Sequence, residues 1–228
     1  DGNLNCPIAV TKSACYFAVR VLTAPDVPPC SGAYRPISVV APAGSLVNAG
    51  PPHAVAGGNV ETSSRIADLV LAAFGRALGQ GTMNNLTLGS AEFTYYETLG
   101  GGQGACPDAD GPHAVHVAMS NTLNTPVEAL ELEFPLRITR YELRRGSGGD
   151  GEFKGGEGVI REFEALAEMQ YSLIAERRRH SPAGAGGGEP GKTGQDFVND
   201  RQIRGKSTGM LTPGDRLRIE TPGGGGHG

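Results

Sequence analysis

The chain lacks an initiating methionine and a basic leader segment. It opens Asp1-Gly2-Asn3, so no secretory signal is read at its start and the expectation is a chain that begins inside a longer protein. It has no apolar run long enough to span a bilayer. It also has no basic excess: the formal net charge of -4 provides nothing to neutralise phosphates. Neither nucleic acid nor a membrane is therefore expected as a partner. Cysteine is sparse, at Cys6, Cys15, Cys30 and Cys106, and none forms a Cys-x-x-Cys pair. That spacing signals neither a zinc site nor a redox motif. A chain of 228 residues can bury a core without disulfides, so the four are read as reduced thiols of a cytoplasmic protein.

Glycine is abundant instead, at 36 residues. It is clustered at Gly57-Gly58, Gly100 to Gly104, Gly146 to Gly151, Gly155 to Gly158, Gly184 to Gly191 and Gly223 to Gly228. The clusters alternate with ordered-looking apolar segments and show no low-complexity repeat. They are read as tight turns and close backbone approaches.

The period of the apolar residues predicts an α+β fold: two N-terminal amphipathic helices followed by a β-rich, glycine-turn C-terminal part. A helix is expected over 7–22, with Val10, Ala14, Phe17, Ala18, Val21 and Leu22 on one face, Asn5 as its cap and Pro25 ending it. An extended, proline-rich region follows, with a short strand over Pro36–Val40. The second helix is expected over 61–78, burying Ile66, Leu69, Val70, Ala73, Phe74, Ala77 and Leu78 and stopping at Gly79. Strands are expected over Phe93–Thr98, Ala114–Met119, Leu136–Leu143, Val159–Leu166, Gln170–Glu176 and Leu217–Glu220. The division is thus a helical and extended segment at 1–80 and a β-rich segment at 81–228, forming a single domain or a fragment of a larger chain.

Four constellations could carry chemistry. Gly186 to Thr193 matches the P-loop pattern letter for letter, yet Arg177-Arg178-Arg179 lies upstream where a buried strand should end. A flexible glycine loop without nucleotide is expected there, and the arginine run is read as a solvated face. Gly57-Gly58-Asn59 leads into the second helix, whose free amides could hold an anion or could simply start an ordinary helix. Glu97 ends a strand ahead of Gly100–Gly104 and Gln103. Asp110, His113, His116 and the polar stretch Asn121, Asn124 and Thr125 follow, and could line one cleft as acid, base and hydrogen-bonding groups. On a strand, His113 and His116 would face opposite sides and share no metal. The sharp expectation is that Asn59, Glu97, Gln103, Asp110, Asn121, Asn124 and Thr125 gather along one cleft. Glu97 and Asp110 would be the catalytic groups and the others would contact substrate. The competing expectation is that these groups satisfy turns and backbone.

Taken in series, several segments resemble the C-terminal half of the hydantoinase B / oxoprolinase family. They are Arg35-Pro36-Ile37 with Ala41 to Ser45, Gly58 to Ser63, Gly100 to Ala105, Asp110-Gly111 and Asn121 to Glu128. Tyr141 to Arg144, Ser147 to Gly149, Gly155 to Glu162 and Thr221 to Gly226 complete the series. The resemblance implies a subunit that acts with a hydantoinase A-type partner on a small cyclic amide such as a hydantoin or 5-oxoproline. ATP and a divalent metal are implied for the full complex, with no cofactor and no metal ligand in this chain. It leaves open a related ketone carboxylase subunit, a non-catalytic scaffold, or independent action as a P-loop hydrolase. Inactivity without the partner is expected.

Overall fold

A computed structural model describes residues 2–23 and 26–228, so the helix stop expected at Pro25 lies outside the described residues. The chain divides into two compact units: Asp1–Gly75 with Ala118–Ser120, and Arg76–Val117 with Asn121–Gly228.

In the first unit α1 (Ile8–Leu22) packs on α3 (Ser63–Ala73), and the short α2 (Ser31–Tyr34) lies between them in sequence. The buried positions are small or polar: Thr11, Ala14 and Ala18 on α1, and Ser63, Ser64, Ala67 and Asp68 on α3. This corrects the expected apolar stripe, since Leu69 and Phe74 are 64% and 63% exposed. Small side chains let two helix backbones approach closely, and here that packing overrides hydrophobic period. The helix also ends earlier than expected. Gly75, at a φ of +70°, follows the C-cap Phe74 and stops it before Gly79. Asn5 caps nothing. Its Nδ2 donates to the Gly2 and Ala54 carbonyls, and Pro7 is the residue preceding α1. Residues 37–40 are irregular rather than a strand. Ahead of α3 the backbone makes one π turn, Gly58–Thr62. Gly58 is required there because a Cβ would sit 2.1 Å from the Asn5 carbonyl oxygen.

The second unit is built on two antiparallel sheets. One has the order β2 (Thr94–Thr98), β1 (Asn85–Gly89), β5 (Met169–Ile174), β8 (Lys206–Leu211). The other runs β3 (Leu136–Arg144), β4 (Gly158–Ala165), β9 (Arg216–Glu220), β6 (Gln195–Val198), β7 (Arg201–Ile203). Inward positions of both sheets share one core: Leu86, Leu88, Tyr95, Met169 and Leu173 meet Leu136, Phe163, Leu217 and Ile219. A helix, α4 (Val127–Glu133), sets Leu130 into it. The expected α+β class with a strand-rich C-terminal part is observed.

The glycine clusters form a backbone-packed layer. The run after Thr221 threads between three others. Gly102 N donates to Pro222 O at 2.9 Å, Gly149 N to Gly224 O at 2.8 Å, and Gly226 N to Glu189 O at 2.9 Å. A Cβ on Gly102 would lie 1.9 Å from Gly156 O, and one on Gly224 the same distance from Gln103 O. The segments approach so closely that only hydrogen fits between them.

Two further expectations are corrected here. Ala114–Met119 is not a strand: Ala114, Ala118 and Met119 have positive φ, and Val115 makes only an isolated bridge to Gly101. Arg177-Arg178-Arg179 is not a solvated face. Arg177 is buried, and Arg178 holds the fully buried Asp196 through Nε and Nη2 at 2.8 and 2.7 Å. Its Nη1 donates to Asn84 Oδ1 at 2.7 Å.

Candidate functional site

Strand period turns Tyr95 and Glu97 inward from β2, so a carboxylate enters the core. Arg161, on the inward face of β4, meets it from the opposite sheet. Glu97 Oε2 lies 3.2 Å from Arg161 Nε, and both side chains are essentially inaccessible. The guanidinium also stacks over Tyr141, 4.4 Å from the ring centroid. Burial pushes the neighbouring Tyr95 phenol above its ordinary range, and the Glu97 charge adds to that.

This ion pair grips the polar stretch that precedes α4. Glu97 Oε1 accepts from Thr125 N at 3.1 Å, while Arg161 Nη2 donates to Thr125 O at 3.2 Å. One residue earlier, Asn124 Nδ2 donates to Thr98 O at 2.8 Å and its Oδ1 accepts from the Tyr141 hydroxyl at 3.0 Å. Thr122 Oγ1 lies 2.6 Å from Thr98 Oγ1 and 3.1 Å from His116 Nε2. Thr98, at the end of β2, therefore anchors two of these residues. The outcome is a rigid polar platform with Thr122 and Asn121 exposed and His116 half-buried beside it. Burial lowers the His116 pKa and favours the neutral ring.

The structure thus brings Glu97, Asn124 and Thr125 together, with Asn121 at the start of the same segment. Gln103 and Asp110 belong to another hydrogen-bonded group. Gln103 lies in the glycine layer, where its amide donates to Pro112 O at 3.1 Å. Asp110 Oδ1 accepts from Lys154 N at 2.7 Å, and both side chains are exposed. Asn59 is on the π turn of the first unit. Arg161, Tyr141, Thr98 and Thr122 were not singled out from sequence. Arg161 sits in a strand beside Glu162 and Glu164, and its partner Glu97 is remote along the chain. His113 is tied to the backbone, its Nδ1 accepting from Glu157 N at 2.9 Å.

Neither a nucleotide cradle nor a metal centre is built from these residues. Loop amides at 188, 189, 191 and 192, which a P-loop would aim at phosphate, donate to the carbonyls of Ala185, Asp150, Pro182 and Ser147. No strand runs into that loop and β6, not a helix, follows it. Among the described residues, no group of three or more His, Cys, Asp and Glu side chains could hold a metal ion. No described helix is long and apolar enough to cross a membrane.

The family model for hydantoinase B/oxoprolinase matches residues 1–228. The chain belongs to the hydantoinase B/oxoprolinase family. It is 43% identical over 233 residues to 5-oxoprolinase 1 of Arabidopsis thaliana, aligning all of this chain with 18% of that protein. To a putative D-/L-hydantoinase B-type subunit of Pseudomonas sp. (strain NS671) it is 29% identical over 257 residues, covering 42% of that protein. The crystal structure of an ATP-dependent caprolactamase from Pseudomonas jessenii superposes with a TM-score of 0.85 at 24% identity. That match covers 99% of this chain and 44% of the caprolactamase chain, and shows a shared fold. The family member described here therefore spans about a fifth of the length of the 5-oxoprolinases it matches.

Proposed function

We propose that this chain is a portion of the B-type part of an ATP-dependent cyclic-amide hydrolase acting on a 5-oxoproline-type ring. The observation that carries the reading is the gradient of similarity. Identity is 43% to a 5-oxoprolinase across the whole chain and 29% to a putative hydantoinase component. The platform at the end of β2 supports it chemically. A cyclic amide offers one acceptor and one donor, and Asn121, Asn124 and Thr122 present both kinds of group on a frame that does not have to reorganise.

In this reading a hydantoinase A-type partner uses ATP to activate the amide oxygen, and water then opens the ring. A divalent metal would be supplied from outside this chain; among the described residues, no group of three or more His, Cys, Asp and Glu side chains could hold one. Asn121 contacts the ring. Glu97 acts through Thr125 rather than on substrate, because its carboxylate is spent on Arg161 and a backbone amide. An ATP-using reaction of this kind belongs in the cytoplasm, in keeping with the free thiols at Cys6, Cys15, Cys30 and Cys106.

The test is turnover by the full-length B-type chain with an A-type subunit, ATP and 5-oxoproline, read as release of glutamate and ADP. ATP-dependent glutamate formation is expected. Carboxylation of acetone with no ring opening would overturn the reading.

A further inference from the structure

We propose that Thr98, Thr122 and His116 form a proton relay in which His116, acting through the Thr122 hydroxyl, accepts the proton of the water that opens the ring. This rests on the cyclic-amide reading above. Three observations carry it. First, the groups are contiguous: Thr98 Oγ1 to Thr122 Oγ1 is 2.6 Å, and Thr122 Oγ1 to His116 Nε2 is 3.1 Å. Second, the middle member is the most open to solvent. Thr98 is buried and His116 half-buried, while Thr122 is exposed, so a water can reach the relay there. Third, the backbone around His116 is held in a conformation it would not adopt unaided. Ala114, Ala118 and Met119 have φ of +53°, +28° and +42°. Non-glycine residues at positive φ are uncommon and persist where the surroundings over-determine them.

The chemistry balances. The ring carbon attacked is the one whose oxygen has taken the phosphoryl group from ATP, so the water oxygen forms the bond to that carbon and the C=N π pair moves onto the ring nitrogen. The water proton passes to Thr122 Oγ1 as the Thr122 hydroxyl proton passes to His116 Nε2, and the same path in reverse delivers it to the ring nitrogen. When the C–N bond breaks, its pair stays on nitrogen, which takes the proton of the newly added hydroxyl as the C=O forms, leaving an acyl phosphate. A second water then releases phosphate and the carboxylate, so the net change is one water added across the C–N bond and one consumed in converting ATP to ADP and phosphate. For Thr122 to donate to Nε2, the neutral ring must carry its hydrogen on Nδ1. Thr98 Oγ1–H then donates to Thr122 Oγ1 and holds it in line. His116 and Thr98 are positioning residues, since neither touches the ring.

The experiment uses the full-length B-type chain assembled with its A-type partner, ATP and 5-oxoproline. Thr122→Val, which keeps shape and removes the hydroxyl, is expected to lower kcat by about 10²-fold or more with little change in KM. Thr122→Ser restores most of the rate. His116→Ala loses a similar factor and regains rate with added imidazole, which a merely structural histidine would not do. Circular dichroism and Tm of each variant establish that it folds. If the unsubstituted enzyme opens no ring, the cyclic-amide reading fails and the relay with it. If it opens the ring and folded Thr122→Val is as fast, or imidazole rescues nothing, the relay alone is overturned.

Discussion

Glu97 shows how far a side chain's role depends on what meets it. A carboxylate and a guanidinium enclosed between sheets lose their hydration, and attraction offsets that loss only when their other hydrogen-bonding capacity is used. Here Glu97 Oε1 and Arg161 Nη2 hold the amide and carbonyl of Thr125, while Arg161 Nη1 has no hydrogen-bond partner among the described residues and the guanidinium face lies over Tyr141. Glu97→Gln would leave Arg161 charged and uncompensated. It is expected to destabilise the fold by about 3–5 kcal/mol in denaturant unfolding. Replacing both partners, Glu97→Leu with Arg161→Met, should recover most of that stability while releasing Thr125 and lowering turnover. A single substitution costing under about 1 kcal/mol would contradict a buried, mutually dependent pair. The carboxylate of Glu157 works differently, as a clip on a loop. Burial pushes its pKa up, but donation from Gly146, Ser147 and Gly148 amides and the Ser147 hydroxyl outweighs this and holds it below its ordinary value. A depressed folded pKa contributes stability above the unfolded value of about 4.3, and that stability is lost as pH falls through the folded value. Glu157→Gln should therefore lower Tm at about pH 7, and the gap from the unsubstituted protein should narrow below about pH 4. A gap independent of pH would rule out the charge as its cause.

Among the elements, strands with strong β-branched and aromatic content were legible: β2, β3, β4, β5 and β9 fall where period predicts them. β1, β6, β7 and β8 were not: Gln195–Val198 and Arg201–Ile203 are only four and three residues long, and Asn85–Gly89 and Lys206–Leu211 mix their few apolar residues with Asn, Thr, Lys, Ser and Gly. The helix over Val127–Glu133 was hidden by the turn-like residues before it. Glycine clusters were legible as close approaches but not as one layer, since the pairing of 100–105 with 222–226 is a long-range contact with no local signal. That layer makes a sharp prediction. Gly102→Ala places a methyl 1.9 Å from Gly156 O, backbone against backbone, so neither side can yield by rotating a side chain. A loss of at least about 3 kcal/mol is expected. Gly50→Ala meets nothing within 4 Å and should stay within about 1 kcal/mol. Equal effects of the two in urea unfolding would mean that the layer does not hold the fold together.

At the scale of the whole molecule, a match in letters and a match in structure part company at Gly186 to Thr193. The pattern Gly-x-x-x-x-Gly-Lys-Thr binds phosphate because its amides are unpaired and a helix begins behind them. Here the amides are paired with carbonyls, and the glycines make room for other backbone: Gly188 for Gly226, and Gly191 for Gly224. The candidate site was half legible for a related reason. Sequence could mark Asn121, Asn124 and Thr125 as a polar cluster after a strand. It could not place Arg161 beneath Thr125 or His116 beside Thr122, because those contacts are made by the fold rather than by spacing. On the reading proposed above, nucleotide use comes from a partner rather than from this loop, which yields a prediction about the chain by itself. Purified and supplied with ATP and 5-oxoproline, it should bind ATP no better than its Lys192→Ala variant and should open no ring. Isothermal titration with ATP and direct assay of glutamate check the two halves independently. Tight ATP binding abolished by Lys192→Ala would mean that the loop rearranges to free its amides, against the packing described. Ring opening by the isolated chain would mean that the platform at the end of β2 is sufficient without an activating partner.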